Sequence, residues 1–269
     1  MKYLYFFLIF YLFSFCNSPV KTEEPSNLIW EDNFNGSTLD TSYWNIYSGN
    51  GCPELCGFGN NELQYYTNDY SNLNLKDGKL IITANFDSVS KFFSSAKITT
   101  NHKIDFHTGY LEVVAKLPNA TGTWPAIWLL PSLNRQLNWP LDGEIDIMEN
   151  VGYDSCKILG TIHTKAYNHT IGTQKSDSII INSAHQNFHT YTLNWTDSIL
   201  EWYVDSNLYN SISRNVLDSN EQWPFDKPFH LIINQAVGGD WGGRLGIDTT
   251  SFPQSLIIDR VSLFNKKPY

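Results

Sequence analysis

Apolar residues in this chain recur at every second position in short runs, and no long stretch carries the 3.6-residue period of an amphipathic helix. Over residues 110–117, Leu111, Val113, Ala115 and Leu117 fall on one side of an extended backbone. Tyr110, Glu112, Val114 and Lys116 fall on the other. Residues 80–84 (LIITA) follow the turn signal Lys76-Asp77-Gly78. Further strands are expected over residues 158–163, 189–195, 200–204, 230–236 and 256–264, with Asn, Asp, Gly and Pro recurring between them. There is no internal repeat. The pattern predicts one all-β domain, an antiparallel β-sandwich from about residue 27 to the end, and 269 residues suit a single domain of that class.

The first residues read differently. Lys2 precedes an apolar run over residues 3–15, the length of a signal-peptide core and too short to span a bilayer comfortably. Residues 1–15 are therefore expected to be a signal peptide, residues 16–26 a polar tether carrying Pro19 and Pro25, and residues 27–269 the folded domain. Cys16 sits at the junction and resembles a lipoprotein acylation site, although Phe15 is bulkier than the small residue usual before it. Two readings stay open: a lipid anchor on Cys16 holding the protein at the cell surface, or cleavage nearby and release. Both imply export. In an oxidising compartment Cys52 and Cys56 can close a small loop with Cys156 left free; the alternative is three free thiols.

Charge narrows the partners. A net charge of −9 with scattered Lys and Arg excludes a basic face for nucleic acid or an anionic membrane. The aromatic content of 15%, with nine Trp, hints at stacking surfaces for sugar rings.

The most informative stretch is LDGEIDIMEN, residues 141–150. Glu144 and Asp146 are two apart and share one face of a strand, while Ile145 and Ile147 turn to the core. Glu149 has the wrong parity for that face, so a β-bulge near Ile147 and Met148 is needed to bring it round. Like charges crowded on a strand disfavour ionisation, which raises the pKa of at least one carboxyl. A protonated carboxyl beside an ionised one is the pair a glycosidase uses, and a separation of about 5–5.5 Å gives the retaining reaction. An acidic strand edge that is merely solvated is the plainer reading. Trp124 and Trp128, just upstream in TWPAIW, argue against it.

GEIDIMEN with its surroundings resembles glycoside hydrolase family 16, in particular its laminarinase-like endo-β-1,3-glucanases. The resemblance runs from IWEDNFNGSTLDTSYWN through GFGNNELQYYT, WPAIWLLP, GEIDIMEN and GTIHT to HTYTLNWTDSILEWYVD, PFDKPFHLIINQAVGGDWGG and SFPQSLIIDRVSLF. It implies a β-jelly-roll with a concave substrate cleft, and a retaining endo-hydrolysis of β-1,3-glucan that extends to mixed-linkage glucan. Glu144 would be the nucleophile, Asp146 its hydrogen-bonding neighbour and Glu149 the general acid/base. Trp124 and Trp128 would line the cleft, His163 would approach the carboxylates from the next strand, Asn60 and Asn61 would donate to sugar hydroxyls, and Trp241 would flank the cleft.

The resemblance also implies one structural Ca²⁺ away from the chemistry, at positions matching Asn33, Gly78 and Asp259, with Asn33 standing where an acid is common. No cofactor is implied for the reaction, and the protein is expected to act as a monomer on a β-glucan. Two departures bear on substrate: GYLEVVAKLP places Tyr110 and Val114 where arginines are common, and Phe58 replaces a Trp. If those arginines grip sugar, specificity has shifted. Other readings are a family member acting on agar, carrageenan or xyloglucan, and a non-catalytic glycan-binding protein.

Overall fold

The computed structural model describes Met1 and residues 27–268; the signal-peptide, tether and Cys16 expectations lie outside the described residues. Two sheets face each other. The larger orders its strands Asn207–Ser213, Ile199–Val204, His189–Trp195, Gly109–Lys116, Gln254–Phe264, Lys79–Asp87, Phe92–Ser95 and Gln64–Tyr66. Leu28–Asp32 adds to Gln254–Phe264, and Leu73–Lys76 to Lys79–Asp87. The eight-stranded sheet runs Lys175–Ile180, Lys157–His163, Glu144–Glu149, Thr123–Pro131, Phe229–Val237, Lys97–Thr99 and Asn45–Tyr47, with Asp105–Phe106 on Phe229–Val237. Pairing is antiparallel except between Gln64–Tyr66 and Phe92–Ser95, which run parallel. Each strand expected from alternation is present, within a few residues at its ends.

One core fills the space between the sheets. Leu111, Val113 and Ala115 from the larger sheet meet Ile127, Leu129, Ile145 and Ile147 from the smaller, all buried. The alternation in both sheets is thus explained by one apolar layer drawing every second side chain out of water.

One expectation is corrected by this topology. Tyr110 and Val114 stand on the larger sheet, on the side of their strand away from the core residues Leu111 and Val113, and the whole core separates them from the carboxylate strand. Tyr110 packs on Tyr203, ring centroids 6.3 Å apart. Neither position can grip substrate bound over Glu144, so neither shifts specificity. The disulfide question is settled in favour of Cys52–Cys56, with Cys156 free.

The bulge demanded by parity exists. Across Lys157–His163, Glu144 pairs with His163, Asp146 with Thr161 and Glu149 with Leu159, so three residues along one strand answer two on the other. Ile147 and Met148 are consecutive yet both fully buried in the core, and Glu149 returns to the side of Glu144 and Asp146. A bulge takes backbone carbonyls out of the ladder, and buried carbonyls need other donors. Both come from the opposite sheet: the buried Trp202 indole donates to the Asp146 carbonyl at 2.8 Å, and the Tyr209 hydroxyl reaches the Ile147 carbonyl at 3.5 Å. Gly160, which faces the bulge, leaves room for them. A Cβ there would lie 2.5 Å from the Trp202 ring and 2.7 Å from the Tyr209 hydroxyl.

Replacing Trp202 with Phe keeps the ring and strands the Asp146 carbonyl. We expect a loss of roughly 1–3 kcal/mol, the cost of an unsatisfied buried acceptor, in denaturant unfolding. Glucan hydrolysis should fall with it, because the bulge sets where Glu149 points; an unchanged unfolding midpoint would show that another donor serves the carbonyl.

Candidate active site

On the face of the smaller sheet turned away from the core, the strands lay out a row of complementary groups. Thr123–Pro131 contributes Trp124, Ala126 and Trp128, two half-buried rings with a small residue between them. Ala126 pairs with Glu149 on one side and Asn234 on the other, so a small side chain stands between those two groups. The Trp124 indole donates to Glu149 Oε1 at 3.0 Å. Trp128 donates to Asn234 Oδ1 at 2.7 Å, and the Asn234 amide donates to the Tyr66 hydroxyl at 3.0 Å. The Trp139 indole, from the loop before the carboxylate strand, donates to Glu144 Oε2 at 2.9 Å. His163 lies across from Glu144, with Nε2 3.4 Å from Asp146 Oδ2 and 3.8 Å from Glu144 Oε1.

The two outer carboxyls, Glu144 and Glu149, are thus each held by a separate indole N–H, with Asp146 between them. Burial pushes Glu144 up to about 8, reinforced by the Asp146 charge, while His163 and the Trp139 hydrogen bond pull the other way. Glu149 is also pushed up to about 8, first by burial and then by Asp146. Asp146 rises through burial, with its hydrogen bond to Glu144 opposing. Three groups this close titrate as one set and share protons among themselves. At neutral pH the set can present a protonated acid beside an ionised nucleophile, the division of labour that acid-assisted displacement needs.

Four residues that sequence reading did not single out complete the site. Trp139 was signalled only as an aromatic a few positions before GEIDIMEN. His169 stacks on Trp139 with centroids 5.0 Å apart and meets His163 edge-on at 5.1 Å. Lys97 opens the short strand Lys97–Thr99, its ammonium within 5.0–5.4 Å of the ring centres of Tyr47, Phe58 and Trp128. Burial lowers it to about 8, and Glu62 and Glu144 act to keep it charged. Glu62 stands inside the quoted GFGNNELQYYT motif; its carboxylate accepts from Asn60 at 3.2 Å and Gln64 at 2.7 Å, and burial raises its pKa.

Asn60 and Asn61 sit differently from expectation. The Asn60 amide is taken up by Glu62, and the Asn61 amide donates to both oxygens of Asp240, at 2.9 and 3.1 Å. The amides assigned to sugar hydroxyls are engaged within the protein. Trp241 packs edge-on against Trp124, centroids 5.4 Å apart, so it backs the wall of the site.

Residues 56–253 match the pattern of Glycosyl hydrolases family 16. The chain belongs to that family. Over 246 residues it is 42% identical to the beta-glucanase of Rhodothermus marinus, covering 88% of this chain and 84% of that protein. The solved laminarinase from Rhodothermus marinus superposes with a TM-score of 0.83 at 41% identity, over 88% of this chain and 96% of that one. A glucan endo-1,3-beta-glucosidase of Cryptopygus antarcticus is 39% identical over 231 residues, 80% of this chain and 82% of that protein. As a family 16 member the chain is a glycoside hydrolase acting on polysaccharide.

The calcium positions implied by the family do not make a divalent-ion site in this member. Asp259 Oδ1 is paired with the Lys79 ammonium at 2.8 Å, and Asn33 is an exposed neutral amide whose oxygen accepts from the Asn35 N–H at 3.3 Å. Calcium selects several anionic oxygens, and here the one carboxylate already has a cation. Among the described residues, those that bring metal-binding atoms together, all within 4.8 Å, are Glu144, Asp146 and His163 at the catalytic face. We expect EDTA and added calcium alike to leave the thermal midpoint unchanged; a rise on calcium addition, read by calorimetry, would restore the structural ion.

The raised carboxyls carry a cost to folding with a definite sign. Below pH about 4.5 Glu149 is protonated folded or unfolded and costs nothing. As pH rises, the unfolded chain ionises freely while the folded one resists, so stability is lost up to about pH 8. Glu149→Gln removes that loss. The variant should melt higher than the parent at pH 7, by roughly 2–4 °C per kcal/mol regained, and at the same temperature near pH 4. Equal midpoints at both pH values would mean the carboxyl is not strained by burial.

Proposed function

We propose that the protein is a retaining endo-β-1,3-glucanase that cuts laminarin-type glucan by double displacement. Support comes foremost from one observation: Glu144 and Glu149 share a face of the bulged strand, each held by its own indole N–H, with Asp146 between them. The names of similar proteins, laminarinase and glucan endo-1,3-beta-glucosidase, point to the same linkage.

In the first step Glu149 gives its proton to the glycosidic oxygen as Glu144 attacks the anomeric carbon. The C–O bond breaks, the leaving sugar departs as an alcohol, and a glycosyl ester forms on Glu144. Glu149, now ionised, then takes a proton from water, which opens the ester with a second inversion and so restores the original configuration. The Trp139 indole stabilises the ionised Glu144 before attack, and His163 holds Asp146 and Glu144 in line. Trp124 and Trp128 offer apolar faces to pyranose rings.

Residues 1–15 and the tether fit export, with the enzyme released or held at the surface through Cys16, and the protein works as a monomer. Fractionating cells that express the Cys16→Ala variant tests the anchor: membrane association that survives the change rules out acylation there.

Reducing-sugar release and product sizing on laminarin, mixed-linkage glucan, agarose and xyloglucan test the activity. Short oligosaccharides from laminarin, formed with retained anomeric configuration and reduced at least 10³-fold in Glu144→Gln, are expected, since removing a nucleophile leaves only residual catalysis. Activity confined to agarose or xyloglucan would reassign the substrate.

A further inference from the structure

From the packing behind Trp124 we infer that the Asp240–Asn61 clasp is a positioning device for the general acid, acting on Glu149 through Trp124. This rests on the reading of Glu149 as acid/base.

The loop after Phe229–Val237, with sequence GGDWGG, and the loop ending in Asn60 and Asn61 are fastened to each other at several points. The Asp240 carboxylate accepts twice from the Asn61 amide, at 2.9 and 3.1 Å, and the Asp240 N–H donates to the Asn60 carbonyl at 2.8 Å. Glu62 bridges to Gly238, and the Leu63 N–H donates to the Val237 carbonyl at 2.9 Å. Asn61 is held at φ +56°, a left-handed conformation that a non-glycine residue adopts at a cost and that the clasp secures.

The fastened pair forms the back wall of Trp124. A Cβ at Gly239 would lie 3.2 Å from the Trp124 ring, and one at Gly242 2.8 Å from its Cβ, so backbone presses on the indole from both glycines. Trp241 closes the third side, edge-on. With its ring pinned in this way, Trp124 has one direction in which to aim its N–H, and Glu149 Oε1 lies there at 3.0 Å. Asp240 itself is exposed and touches none of the catalytic carboxyls. Its charge strengthens the clasp, since a hydrogen bond to a carboxylate is stronger than one to a neutral amide. A loosened clasp frees the indole and with it the acid's orientation, so bonds that need a proton for departure suffer while bonds that do not are spared.

The test compares two substrates of unlike leaving group, β-1,3-glucan and the dinitrophenyl β-glycoside of a 1,3-linked glucose disaccharide, whose phenolate leaves as an anion without a proton. For Asp240→Ala we expect kcat/KM on the glucan to fall about tenfold, a part of what acid catalysis supplies, with the aryl glycoside unchanged. Asp240→Asn, which can still accept one hydrogen bond, should recover most of the loss. Asn61→Gly removes the clasp from the other side while keeping the left-handed backbone at no steric cost, and serves if Asp240→Ala does not fold. The two losses should not add in the double variant, as for partners in one contact. An equal loss on both substrates, or no loss on either, overturns the proposal. Glu149→Gln run alongside separates the two claims: if it spares glucan cleavage, the acid assignment itself is wrong; if it abolishes glucan cleavage but not phenolate release, the clasp stands or falls on its own variants.

Discussion

The active face depends on one irregularity in one strand. A regular strand through residues 144–149 would put Glu149 in the core and leave Glu144 and Asp146 without it. The extra residue at Ile147 and Met148 reverses the parity and sends two consecutive apolar side chains inward. That geometry requires hydrogen bonds for the carbonyls it removes from the ladder, and the larger sheet supplies them through Trp202 and Tyr209. The two sheets are therefore coupled by polar contacts as well as by the apolar layer, and the coupling runs beneath the catalytic carboxyls. Gly160 is the complement: its missing side chain is the space those two aromatic groups occupy.

Four of the tryptophans do two different jobs, and the placement of the N–H distinguishes them. Trp202 presents its indole to backbone and is wholly buried. Trp124, Trp128 and Trp139 present theirs to side chains of the active face while one side of the ring stays accessible. An indole is well suited to that position, because it orients a carboxylate with a single donor and leaves an apolar surface for a sugar ring. The same arrangement sustains the tension in the site. Carboxyls kept dry and close together oppose folding at neutral pH, and the fold tolerates them because the surrounding core is large. Reactive groups held against their solvation preference are the usual exchange of stability for chemistry.

Much of this was legible in the chain. Period-two alternation locates the strands because one apolar layer selects every second side chain, and the parity of Glu149 by itself requires a bulge. Spacing put Glu144 and Asp146 on one face of a strand, and the resemblance to glycoside hydrolase family 16 implied the roles of the carboxylates, Trp124, Trp128 and His163. What escaped were contacts between residues far apart in sequence. The resemblance implied that Asn60 and Asn61 donate to sugar; Glu62, two residues on, takes the Asn60 amide, and Asp240, which takes the Asn61 amide, is 179 residues away. Tyr110 and Val114 drew notice because they stand where the family commonly has arginines, and a motif match does not say which sheet a strand joins. Lys97 and His169 carried no local signal at all.

The sequence by itself determined the fold class, through the spacing of its apolar residues, and through its motifs the resemblance that implied the family and the roles of the carboxylate trio. Tertiary structure alone decided which indole holds which carboxyl, which amides remain open to a ligand, and that Asp259 is already paired with Lys79. Those outcomes depend on sheet order and on the packing of loops from opposite ends of the chain, where hydrogen-bond partners are chosen by proximity in space that no sequence interval encodes.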